Sequence, residues 1–213
     1  MRKIEIVENS LIAPGIFSLI FDRKFDFIPG QVIKLTSDAS IPPRMYSIAS
    51  GMDEPIVRII YDLKPEGLLT NALKTLKKGD SIEVSEPFGN FICKSASAWW
   101  IAIGTGIAPF YSMFRSGSCE DITLLHGARQ KEFFLFSEEL AASLGNNYIP
   151  CCSGDKMPNT FNGRVTDYIK SLVELPAGAT YYLCGSAEMV VEMRDLLISK
   201  GVRFDAIVAE IYF

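Results

Sequence analysis

The sequence predicts two domains of different class. Residues 1–95 read as a six-stranded antiparallel β-barrel, and residues 96–213 as a doubly wound α/β domain on a five-stranded parallel sheet. Two changes along the chain carry this. Up to Phe91, short apolar runs are separated by turn residues with a single helical stretch among them, as small barrels require. Beyond Phe91, strand-like and helix-like segments alternate, which calls for a parallel sheet covered on both faces. A third observation sets the scale: 213 residues, 48% of them hydrophobic, can build cores for one or two domains.

In the first half, residues 3–7 alternate in polarity and residues 16–21 are apolar-rich. Residues 31–36 follow the Pro29-Gly30 turn, and further strands are expected over 45–49, 57–61 and 81–85, the last after Lys78-Gly79-Asp80. Apolar residues at 69, 72, 73 and 76 predict one helix over 68–76. In the second half, strands are expected over 98–103, 122–125, 148–152, 180–184 and 204–208. Helices over 108–114, 133–144, 163–173 and 188–200 separate them. Sheets of this kind bind ligands beyond the carboxyl ends of their strands.

Composition narrows the chemistry. Net charge is −4, with residues 1–95 neutral and the acidic excess confined to 96–213, so no basic field for nucleic acid exists. The five cysteines (93, 119, 151, 152 and 184) have no C-x-x-C spacing and resemble no metal or disulfide framework; they are expected to stay reduced. The single histidine, His126, excludes multi-histidine metal sites and is expected to be structural. No apolar run reaches the roughly 18 to 20 residues of a membrane span. Residues 1–6 run straight into a strand with no leader pattern, so a cytoplasmic location is expected.

The strongest chemical signal is Gly104-Thr105-Gly106-Ile107-Ala108-Pro109, which follows the first strand of the α/β half and opens a helix. Glycines there let the backbone approach a pyrophosphate, and the helix offers N–H groups and the positive end of its dipole. Pro109 suits a first helical turn, where its missing N–H costs nothing. About 20 residues on, an acid would bind a ribose 2′-hydroxyl and an arginine would suit a 2′-phosphate. That position is Arg129, which favours NADP(H).

The run Arg44-Met45-Tyr46-Ser47-Ile48-Ala49-Ser50 resembles the R-x-Y-S-x-x-S motif of the ferredoxin/flavodoxin–NADP+ reductase family. Gly67-Leu68-Leu69-Thr70, Pro87-Phe88-Gly89-Asn90-Phe91 and the glycine turn at 104–106 are similar to the family pattern too. So are His126-Gly127-Ala128-Arg129, Asn162-Gly163-Arg164-Val165, Tyr182-Leu183-Cys184-Gly185 and the terminal Glu210-Ile211-Tyr212-Phe213. The resemblance implies an FAD-binding barrel followed by an NADP-binding domain, with the cofactors at their junction.

By that resemblance Arg44 pairs with the FAD pyrophosphate, Tyr46 stacks on the flavin and Ser47 hydrogen-bonds its N5. Gly67 and Thr70 hold the pyrophosphate; Met45, Ile60, Leu68, Leu69, Tyr212 and Phe213 complete the FAD set. Gly104, Thr105, Gly106, Arg129, Ser153, Arg164 and Cys184 form the implied NADP set. Ser47, Cys184, Glu210 and Tyr212 are the implied catalytic residues around the nicotinamide. One departure stands out: where many NADP-preferring relatives have Ser-Arg, this chain has Ser153-Gly154, followed by Asp155 and Lys156. The implied activity is hydride exchange between NADP(H) and FAD, with single electrons passing to or from ferredoxin or flavodoxin. An acidic carrier would meet a positive patch, for which the barrel offers Arg23, Lys24, Lys34, Lys74, Lys77 and Lys78. The alternatives are an NAD(P)H-dependent flavin reductase, the reductase component of an oxygenase system, or a non-catalytic binding module.

Overall fold

Ile4 and Ile6 point inward from the first strand while Lys3, Glu5 and Val7 point out, the alternation expected of a half-buried strand. The computed structural model describes residues 1–212; Phe213 lies outside the described residues. The strands β1 (Arg2–Ala13), β2 (Ile16–Asp22), β3 (Val32–Thr36), β4 (Arg44–Ser47), β5 (Ile56–Asp62) and β6 (Ser81–Val84) form one antiparallel sheet. Their order is β4-β3-β6-β1-β2-β5. A bridge between Ile48, just after β4, and Ile59 in β5 joins the two ends and closes the barrel. Its interior is Ile6, Leu19, Phe21, Ile33, Leu35 and Ile59, sealed by Leu69 and Leu73 of helix α1 (Leu68–Thr75). Strand β1 extends past Val7, where sequence alternation ends, because register shifts between Ile6 and Glu8 and between Leu11 and Ala13 break the two-residue period.

The second sheet holds β7 (Ser97–Ile103), β8 (Asp121–Ala128), β9 (Tyr148–Cys152), β10 (Phe161–Asn162), β11 (Thr180–Ser186) and β12 (Ile207–Tyr212). All its pairings are parallel, in the order β10-β9-β8-β7-β11-β12. Helices α2 (Ile107–Arg115), α3 (Ser137–Leu144), α4 (Val165–Ser171) and α5 (Ala187–Ser199) intervene. The sheet therefore has a sixth strand beyond the five expected, since β10 is only two residues long and leaves no periodic signal. Helix α3 starts at Ser137 rather than 133 because Phe136 takes a left-handed backbone, φ 60°. The last strand is shifted to Ile207, after a 3-10 turn over Phe204–Ala206.

Compactness groups Met1–Ile92 with Ala108–Ser118 as one unit and Cys93–Ile107 with the chain from Cys119 onward as another. Within the first unit Ser112 Oγ donates to Ser50 O at 2.7 Å, Arg115 meets Glu54 at 3.1 Å, and Phe91 and Phe110 stack edge to face. The expectation of five reduced cysteines is corrected at one pair: Cys93 and Cys119 are joined in a disulfide, Cα atoms 6.4 Å apart. The 26-residue separation hides this in sequence. Parallel pairing of Ser97 with Asp121 explains it, because it brings the segments entering β7 and β8 side by side. Cys151, Cys152 and Cys184 are buried thiols. No helix among the described residues is long and apolar enough to cross a membrane.

Candidate functional site

In the barrel unit, β4 presents the Arg44–Ser47 run against β3, with Tyr46 opposite Ile33 and Ser47 opposite Val32. The Ser47 side chain is buried, 3% exposed, while Arg44 and Met45 lie at the surface. Arg44 makes no ion pair among the described residues, so its guanidinium is available to an anion. Tyr46 is half-buried and meets Tyr61 edge-on, ring centroids 6.5 Å apart; burial pushes its phenol up to about 12, so it stays neutral. Ser50, which ends the motif, is structural: its hydroxyl accepts from Arg58 N at 3.1 Å and its carbonyl accepts from Ser112.

The N-terminus of α1 has no side-chain cap, which leaves its first N–H groups for a ligand. The preceding loop is pinned by side chains. Thr70 Oγ1 accepts from Lys64 N at 3.2 Å, and Asn71 Nδ2 donates to the carbonyls of Lys64, Pro65 and Gly67 at 2.9 to 3.1 Å. A Cβ on Gly67 would lie 2.7 Å from Thr70 Oγ1. Leu68 is exposed and Leu69 is buried against the barrel core; Ile60, 4% exposed, lies on β5. Exposed Leu68 and Met45 are apolar surface of the kind that a flat aromatic ring covers. Sequence reading passed over Asn71, whose signal was its place four residues after Gly67.

In the second unit, Gly104–Gly106 form a 3-10 turn at the carboxyl end of β7 that runs directly into α2. Gly104 takes φ +54° with nothing near its missing Cβ, so the position needs glycine for its backbone alone. Gly106 needs glycine for space: a Cβ there would lie 2.4 Å from the Cys184 carbonyl oxygen. Thr105 is buried. The turn thus sits directly on the end of β11, at the carboxyl edge where parallel sheets take ligands.

Cys184 on β11 pairs with Ala102 on one side and Glu210 of β12 on the other. Its thiol is wholly buried and pushed well above its ordinary value, first by burial and then by the Glu210 carboxylate; a hydrogen bond with Tyr212 opposes this. It is therefore a neutral thiol, not a thiolate nucleophile. Parallel pairing of β11 with β12 brings Cys184, Glu210 and Tyr212 together, as the sequence reading grouped them.

The residues expected at an adenosine end are placed differently. Arg129 is exposed at the end of β8 and Ser153 is exposed after β9. Arg164, expected as a second phosphate-binding cation, has its guanidinium on helix α5, Nη1 3.5 Å from Glu192 and Nη2 3.9 Å from Glu188. His126 is structural as expected: it is fully buried, bonded through Nδ1 to Tyr148 OH at 3.0 Å, and held neutral by burial, which lowers its pKa to about 3. No metal-binding cluster of His, Cys, Asp or Glu occurs among the described residues.

Residues 100–195 match the family model of the oxidoreductase NAD-binding domain. A probable dihydroorotate dehydrogenase B (NAD(+)), electron transfer subunit, of Pyrococcus abyssi is 29% identical, the match covering 97% of this chain and 78% of that protein. The toluate 1,2-dioxygenase electron transfer component of Pseudomonas putida is 28% identical over 95% of this chain and 63% of its own length. A crystal structure of a ferredoxin NADP+ reductase from Neisseria gonorrhoeae with bound FAD and NADP superposes with a TM-score of 0.90 at 19% identity. That match covers 100% of this chain and 98% of that one.

Proposed function

We propose, for a chain with the two-domain fold of the ferredoxin–NADP+ reductases and an oxidoreductase NAD-binding domain, a flavoenzyme that exchanges hydride between NADP(H) and FAD. The observation that carries it is the seat of Gly106 on the Cys184 carbonyl, where a Cβ would intrude to 2.4 Å. That close approach leaves the turn's backbone bare for a pyrophosphate and puts it beside the Cys184–Glu210–Tyr212 cluster. When bound, FAD supplies a hydride acceptor that can then release electrons one at a time.

The residues do the positioning. Arg44 and the uncapped N-terminus of α1 would hold the FAD pyrophosphate, with Thr70 and Asn71 keeping that loop in shape. Tyr46 would flank the flavin ring, Met45, Ile60, Leu68 and Leu69 would supply apolar contact, and Ser47 would hydrogen-bond N5. Gly104, Thr105 and Gly106 would take the nicotinamide dinucleotide, with Arg129 and Ser153 at its adenosine end. Cys184 would give the nicotinamide a small neutral neighbour, and Glu210 with Tyr212 would set the polarity beside it. The Phe213 and Arg164 assignments rest on resemblance alone.

Relatives named as electron transfer components support an electron-carrier partner. We assign that role to ferredoxin or flavodoxin, or to an oxygenase in the second reading. Exposed Lys24, Lys34, Lys74, Lys77 and Lys78 favour an acidic carrier. Replacing Ser47 by alanine tests the site: flavin reduction by NADPH should slow at least tenfold at unchanged FAD content. Unchanged reduction kinetics would remove Ser47 from the mechanism.

A further inference from the structure

In dinucleotide-binding folds the turn after the second strand decides between a ribose 2′-hydroxyl, held by an acid, and a 2′-phosphate, suited by arginine. Here both charges sit at that turn. Arg129 belongs to it, and Asp155 reaches it from the loop after β9, its Oδ2 accepting from Lys131 N at 3.0 Å. That loop is laced to the turn along its length. Ser153 N donates to Ala128 O at 3.1 Å, and Cys152 Sγ donates to Arg129 O at 3.3 Å. A Cβ on Gly154 would lie 2.3 Å from the same Arg129 oxygen, so position 154 has no room for an arginine. Arg164 is engaged by Glu188 and Glu192. The turn is left with Arg129, which makes no ion pair among the described residues, with exposed Lys131 and Lys156 beside it, and with the fixed carboxylate of Asp155.

We propose that Asp155 is a specificity-determining residue. Its carboxylate accepts from a ribose 2′-hydroxyl and repels a 2′-phosphate, so the chain takes NADH alongside NADPH and the charge at 155 sets the ratio. This rests on the nicotinamide reading above. D155N keeps an acceptor for Lys131 N but removes the charge, whereas D155A removes both. Calorimetric titration of the FAD-loaded protein with ADP-ribose and with 2′-phospho-ADP-ribose reads the effect without turnover. D155N should tighten the phosphorylated probe roughly tenfold, the effect of one carboxylate beside a dianion at an open surface, and leave ADP-ribose equal or weaker. The kcat/KM ratio of NADPH to NADH should move the same way.

Ratios within twofold of wild type in D155N would overturn the proposal. So would a shift in D155A alone, which would reduce Asp155 to a loop cap. If neither probe binds and neither nucleotide bleaches the flavin, the nicotinamide reading itself falls, an outcome distinct from a binding site with unchanged selectivity.

Discussion

Two glycine-marked turns, each opening a helix, solve the same problem by different means. The turn before α1 is held by side chains: Thr70 and Asn71 bond back to the 64–67 loop, and Gly67 has an ordinary φ of −76°. The turn before α2 is held by backbone: Gly104 sits at φ +54°, and Gly106 lies against the Cys184 and Gly185 main chain. The second turn also lies inside the loop closed by Cys93–Cys119, while the first lies in an open stretch of chain. A side-chain-held turn should yield gradually to substitution, because each hydrogen bond is worth about 1 kcal/mol. A backbone-packed turn should fail abruptly, since main chain cannot move aside.

The largest effect on ligand binding is expected at Gly106. Alanine there would meet main-chain atoms at 2.4 to 2.8 Å, so NADPH binding should weaken more than tenfold while FAD content stays near wild type. Parallel nucleotide titration and FAD assay check this; simultaneous loss of both would mean that the turns are not independent. The largest effect on stability is expected at the disulfide. Opening it with Cys119→Ser should cost about 3.5 kcal/mol by loop-closure entropy for 26 residues. Chemical denaturation measures this loss. Thiol counts of the unfolded wild-type protein, three before reduction and five after, check the pairing itself.

Thr70→Val should then lower FAD affinity by roughly tenfold, the worth of one hydroxyl at a phosphate-binding loop, with NADPH affinity unchanged in FAD-loaded protein. Flavin release by ultrafiltration reads it. The smallest effect belongs to Gly104→Ala, which meets no neighbour and should cost only about 1 kcal/mol for its left-handed backbone. A loss as large as that of Gly106→Ala would break the distinction between conformational and steric need for glycine.

What sequence could and could not reveal follows from range. Period-two and period-3.6 patterns over β2, β9, β11, α1 and α5 are local, and they place these elements within a residue or two of their positions. Strand β1 outruns its pattern because bulges shift its register, and β10 is too short to have a pattern. In the proposed site, the Arg44–Ser47, Gly67–Thr70 and Gly104–Gly106 runs are contiguous, so sequence alone can single them out. Contacts made by tertiary closure were not: Cys93 with Cys119, and Asp155 with Lys131 at a separation of 24. Arg164 illustrates the converse, a motif arginine whose guanidinium goes to glutamates one helix away.

The central claim is that this chain binds FAD and reduces it with a nicotinamide nucleotide. Anaerobic titration of the purified protein with NADPH, followed at the flavin absorbance band, tests it most directly. A yellow protein with one FAD per chain, bleached by one equivalent of NADPH, is expected. A colourless protein that takes up no added FAD, or a bound flavin that NADPH and NADH both leave oxidised, would contradict it.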